Sequence, residues 1–196
     1  MKKQLLLIGN KPLTENKSAM VDAEYDYIFR VNRCQSLGFS GTRIDGLYAT
    51  LGGPFFTHFL TPQVYNTWIQ AKQFFVNNRQ YPILQQRWPE CCTKEQFENC
   101  KILTFPIEGF KRIIPDYNPE KTPTSTFKLL DYLLYTSEWR DIYDITITGC
   151  DIEGRDTMMQ NGFNWRYTSH KDVGKQEADY IIREHKQGNL KILDLK

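Results

Sequence analysis

The chain predicts an α/β fold, a single Rossmann-like domain with a mostly parallel twisted sheet and helices on both faces. Three observations lead there. Short apolar runs recur along the sequence, each closed by glycine, asparagine or proline, as buried strands read. Stretches of helical spacing lie between them, and strands alternating with helices imply parallel pairing through right-handed crossovers. No repeat, low-complexity tract or linker divides the 196 residues, so residues 1–196 are read as one domain.

The elements follow in order. Leu5-Leu6-Leu7-Ile8 is a buried strand ended by Gly9-Asn10-Lys11-Pro12. Thr14 or Asn16 would cap a short, weakly patterned helix. Tyr27-Ile28-Phe29-Arg30-Val31 is a second strand ending at Asn32, and Gly46-Leu47-Tyr48-Ala49-Thr50 a third. A helical pattern runs from Pro62, with Val64, Trp68 and Ile69 on one side, and Gln73-Phe74-Phe75-Val76 returns to strand. Residues 81–99 are ambiguous and helical in parts. Residues 101–105 read as a strand and 107–122, rich in proline, as a long irregular loop. Thr124-Ser125-Thr126 opens a helix, with Ser125 or Thr126 as its cap. Residues 145–148 form a strand, 171–186 a helix closed by Gly188, and 190–193 a final strand.

Composition narrows the function. Hydrophobic residues make up 40% and charged residues 24%, ordinary for a globular chain. A net charge of +2 does not argue for nucleic acid, which asks for a strong basic patch. No apolar run is long enough for a signal core or a membrane span, so a cytoplasmic protein is expected, compatible with peripheral membrane contact. Five cysteines occur without any Cys-x-x-Cys pair, which points to free thiols rather than a metal site. Neither the dinucleotide nor the P-loop glycine motif is present.

The chemistry-bearing residues gather at strand ends. Gly9-Asn10, Asn32 and Gly149-Cys150-Asp151 each follow a strand, and such ends line one edge of a parallel sheet. Each alone is an ordinary turn; their recurrence favours a ligand crevice. The hydroxyls and amides of Thr124, Ser125 and Thr126 at a helix start suit an anion. His170 stands where a loop enters a helix, with Asp172 and Glu177 near enough in sequence to tune it, and reads as a candidate general base. Arg166 and Tyr167, just before it, suit a departing phosphate. Asp151, Glu153 and Asp156 do not form a compact metal motif, and no metal is expected. His185 reads as a solvated helix residue and His58 as a packing residue among phenylalanines.

These pieces resemble the sialyltransferases, both the compact bacterial kind and the related eukaryotic-type superfamily. The resemblance rests on Leu7-Ile8-Gly9-Asn10-Lys11-Pro12, Tyr27-Ile28-Phe29-Arg30-Val31-Asn32, Pro123-Thr124-Ser125-Thr126, Ile147-Thr148-Gly149-Cys150-Asp151 and the span from His170 to Leu193. They fall in family order, while residues 51–122 match nothing recognisable. The resemblance implies a variant of the GT-A-like fold and a metal-independent glycosyltransferase without a cofactor. Its donor would be a sugar nucleotide, CMP-sialic acid, and its acceptor a hydroxyl of a glycan; a homo-oligomer stays open. Gly9, Asn10, Asn32, Thr124, Ser125, Thr126, Gly149 and Asp151 would hold the donor. His170 would deprotonate the acceptor, assisted at the leaving group by Tyr167 and Arg166. The chain departs from the family pattern at Lys11, at Thr126 and at Glu153, which stands near a family tyrosine position. Two other readings stay open: a non-catalytic nucleotide- or glycan-binding protein on the same fold, and a transferase using another activated sugar.

Overall fold

A computed structural model describes residues 1–13, 15–52, 60–150, 152 and 173–193. Seven strands form one sheet: β1 (Lys3–Ile8), β2 (Tyr27–Val31), β3 (Gly46–Ala49), β4 (Gln73–Asn77), β5 (Lys101–Leu103), β6 (Tyr143–Thr148) and β7 (Lys191–Ile192). Their spatial order is β5-β4-β3-β2-β1-β6-β7, and every pairing is parallel. The central strands carry near-continuous apolar runs because helices cover both faces. Leu5, Leu6, Leu7 and Ile8 of β1 are all buried.

Side-chain alternation along the strands sorts the helices into two layers. Leu5 and Leu7 of β1 and Ile145 and Ile147 of β6 share a core with α5 (Ile107–Ile113), α6 (Ser125–Asp131) and α8 (Gly174–Lys186). The short α7 (Trp139–Ile142) lies beside β6, and its Trp139 packs edge-on against Tyr27 and Phe29. On the opposite face Leu6, Ile8 and Ile28 meet Val21 of α1 (Ser18–Glu24). Leu47, Phe74 and Val76 meet Val64 and Trp68 of α2 (Pro62–Trp68) and Leu84 of α3 (Tyr81–Cys91) on that same side. Among the described residues no helix is long and apolar enough to cross a membrane.

Local sequence explains most element ends. Thr61 accepts the Val64 amide at the start of α2, where Pro62 sets the first helical φ. Thr93 and Gln96 exchange capping hydrogen bonds at the start of α4 (Lys94–Glu98). The Gln96 amide then donates to the carbonyls of Trp68 and Ala71, tying α4 to the end of α2. After β2 the chain folds around the fully buried Arg30, whose guanidinium donates to Arg43 O, Ser40 Oγ, Ser40 O and Gly41 O. One planar fork thus holds the connection between β2 and β3.

Lys17, not Asn16, stands at the N-cap of α1, and two further corrections concern the helical layer. Residues 107–122 are not wholly irregular, because Ile107–Ile113 is a helix following Pro106. Gly109 lies inside it, where a β-carbon would collide with the Asp131 carboxylate. Asp131 fills that space because Arg112 grips it in a bidentate pair, at 2.9 and 2.7 Å, and the Tyr180 hydroxyl donates to it at 3.0 Å. The second correction concerns α6, whose cap is Thr124 rather than Ser125 or Thr126. The helix runs on into one π-helical turn, Tyr132–Thr136, which brings the Tyr135 hydroxyl to the buried Glu184 carboxylate.

Candidate functional site

The chain leaves β1 towards β2 on one side and returns as β6 on the other, so the sheet's switch point lies between β1 and β6. Ligands of open α/β sheets bind beyond the carboxyl ends of the strands at such a point. Gly9 and Gly149 meet there. The Gly9 amide donates to Thr148 O and the Lys11 amide to Gly149 O, both at 2.9 Å. Gly149 has φ +66°, and a β-carbon on Gly9 would collide with the Gly149 carbonyl. Both positions therefore demand glycine.

This close approach fixes Asn10 at the mouth of the switch point. Its Oδ1 is buried and has no hydrogen-bond partner among the described residues, as has the Thr148 hydroxyl behind it. A buried acceptor without a donor is costly unless something supplies one. Lys11, Thr148, Gly149 and Cys150 line a shallow cleft here, closed on its apolar side by Ile181 and Ile192.

Asn32 takes a left-handed backbone, φ 49°, at the end of β2. Its Oδ1 accepts the Thr50 amide at 2.9 Å, and its carbonyl accepts the Trp68 indole at 2.6 Å. The Asn32 Nδ2 group keeps no partner among the described residues. Thr50 continues the edge, and its hydroxyl pairs with Ser125 Oγ at 2.7 Å. Burial pushes the Tyr48 pKa up, with the nearby Asn77 and Thr50 side chains opposing the shift, so its hydroxyl stays neutral. Asn32, Thr50 and Ser125 are thus linked by hydrogen bonds at the ends of β2 and β3, and Asn10 follows β1, the strand next to β2.

The start of α6 differs from the sequence expectation of an open anion site. The Thr124 amide is taken by the Glu177 carboxylate at 2.6 Å. Glu177 fastens α8 to α6 through this bond, and His170, which it was expected to tune, lies outside the described residues. Ser125 faces the crevice through Thr50, whereas Thr126 is buried at 7% exposure, about 100° further round the helix. Asp151, Arg166, Tyr167 and His170 lie outside the described residues, as do Glu153, Asp156, Asp172 and His58. His185 is exposed, with its Nδ1 3.1 Å from Leu190 O.

Sequence reading missed two crevice groups on β3 and β4, Thr50 and Asn77. Each looks like an ordinary strand end, and only the Tyr48 hydroxyl reveals their shared role. It also missed Lys128, one turn along α6 from Ser125. Burial lowers the Lys128 pKa to about 8, the Glu177 charge opposes that fall, and Arg79 adds to it. Among the described residues no group of three His, Cys, Asp or Glu side chains is placed to hold a metal ion. The chain matches no model of a known protein family, and it matches no curated protein.

Proposed function

We propose that the protein is a glycosyltransferase of sialyltransferase type, transferring sialic acid from CMP-sialic acid to a glycan hydroxyl. The carrying observation is the Asn10 carboxamide, buried at the switch point with an unanswered acceptor. A cytidine monophosphate offers ribose hydroxyls as donors to Oδ1, and the backbone bared by Gly9 and Gly149 lets the nucleotide come close. The donor sugar would then extend along the edge towards the Asn32 amide, Thr50 and Ser125. This is the order in which the ordered sequence motifs would present them.

The chemistry needs no metal. The acceptor hydroxyl gives its proton to the His170 imidazole while its oxygen forms the new bond to the anomeric carbon. The bond from that carbon to the CMP phosphate breaks, and the electron pair leaves on the phosphate. Arg166 and Tyr167 would offset the charge that develops there. Incubation with CMP-sialic acid and a panel of galactose-terminated acceptors tests the reading through release of CMP. Turnover is expected in the unaltered protein and lost in His170→Ala, with CMP binding retained. CMP binding without turnover over the whole panel would favour the non-catalytic alternative. Stabilisation only by UDP- or GDP-linked sugars would favour another donor.

A further inference from the structure

The cleft at the ends of β6 and β7 carries two donor groups that the proposed chemistry leaves unused. Lys11, Thr148, Gly149 and Cys150 form its polar side, and Ile181 and Ile192 stand opposite. Its inner space measures about 30 Å³, enough for roughly two water-sized atoms. The edge of a flat ring fits there, and a whole sugar does not. The apolar wall suits the face of such a ring.

Thr148 is 3% exposed, and its hydroxyl has no hydrogen-bond partner among the described residues. A buried hydroxyl in that state costs free energy until a ligand atom answers it. Thr148 pairs in register with Ile8, and its carbonyl accepts the Gly9 amide at 2.9 Å, so it stands at the same strand end as Asn10. The Lys11 side chain also forms no hydrogen bond or ion pair among the described residues. Its backbone is held, because its amide donates to Gly149 O at 2.9 Å. An ammonium can only donate, and a hydroxyl can donate as well. Among the described residues no carboxylate lines the cleft, so the two groups ask for a pair of acceptor atoms from a ligand.

We infer that Lys11 and Thr148 read the base of the donor nucleotide and select cytosine by its adjacent acceptors, O2 and N3. The assignment rests on the transferase reading, which puts the ribose at Asn10 and the donor sugar towards Asn32. The base then falls on the other side of Asn10, at the cleft. O2 stands on the ring carbon beside the ribose-bearing nitrogen, so it turns towards the Thr148 hydroxyl. The long stem of Lys11 carries its ammonium to the next ring atom, N3. Uracil keeps O2 but makes N3 an N–H donor, which confronts the ammonium donor to donor. A site built on donors rejects such an analogue because its own polar groups go unpaired.

Calorimetric titration of the full-length chain with CMP and with UMP tests this, since the two carry the same phosphate and ribose. CMP is expected to bind about tenfold tighter than UMP. Lys11→Met keeps the apolar stem and removes the ammonium, and Lys11 is exposed, so the fold stays intact. The variant should bind CMP about tenfold more weakly and bring the two nucleotides towards parity. A general attraction to phosphate would instead weaken both and leave their ratio as it was. Thr148→Val keeps the shape, removes the orphaned hydroxyl, and should lower CMP affinity with no loss of melting temperature. UMP bound as tightly as CMP by the unaltered protein, or an unchanged ratio in Lys11→Met, would overturn the subsite. Turnover of CMP-sialic acid with such an unchanged ratio would remove the subsite and leave the transferase reading standing. A Lys11-dependent preference for CMP without turnover on any acceptor would do the reverse.

Discussion

Gly9 and Gly149 stand back to back, with the Gly149 carbonyl oxygen in the space a Gly9 β-carbon would fill. This contact pins the ends of β1 and β6 together where the sheet reverses its direction of growth, immediately before Asn10. Gly9→Ala must push the β6 end away. Overpacking of this kind costs about 2 kcal/mol, so the melting temperature should fall by about 6 °C for a chain of this size. A thermal melt checks it, and an unchanged melting temperature would show that the two loops do not touch.

Asp131 and Arg112 form the polar centre of the helical layer. The Asp131 side chain is 4% exposed, while that of Arg112 reaches the surface at 34%. Arg112→Ala leaves the carboxylate with the Tyr180 hydroxyl alone, and stability should drop by about 3 kcal/mol. In the double variant Arg112→Ala with Asp131→Asn, part of that loss should return, because the buried charge is gone. Denaturant unfolding of the two proteins compares them directly. A double variant less stable than Arg112→Ala would contradict the assignment.

Arg30 serves four neutral oxygens from the interior, and lysine cannot reproduce that fork. Arg30→Lys should lose about 3 kcal/mol, since several charge-assisted bonds go unmade around a buried ammonium. The connection that follows Asn32 would loosen with it. Amide hydrogen exchange in residues 36–43 should quicken in the variant, while exchange in β6 stays as it was.

Lys128 predicts a pH signature. Its native pKa is held down to about 8 by burial, with Glu177 on α8 raising it and Arg79 on the β4 turn lowering it. The unfolded chain titrates near 10.4, so between about pH 8 and 10 the unfolded state binds more protons than the native state. Stability attributable to this group therefore rises with pH across that window. Lys128→Met removes the penalty, so its advantage over the unaltered protein should be largest at pH 7 and shrink towards pH 10. Melts at four pH values measure it, and a difference independent of pH would show that Lys128 is not buried as described.

Much of the fold is legible in the residues themselves. Leu5-Leu6-Leu7-Ile8 and Gln73-Phe74-Phe75-Val76 announce buried strands because each is short, apolar and closed by a polar turn. The placement of β6 beside β1 is not legible, since no local pattern encodes a partner 140 residues away. The helix at Ile107–Ile113 is hidden because Gly109 answers to Asp131, a contact across the layer rather than along the chain. The same holds within the crevice. Gly9, Asn10, Asn32 and Ser125 are readable as polar strand and helix ends. Lys128 looks like a solvated cation until the fold lays its ammonium over the Phe110 ring.

The partnerless acceptor of Asn10 is the group a nucleotide would meet. Calorimetric titration of CMP into the unaltered protein and into Asn10→Ala tests it most directly. A single saturable site is expected, weakened about tenfold or more by the substitution, with the melting temperature of the variant no lower. No CMP binding to the unaltered protein, or equal binding to both, would contradict it.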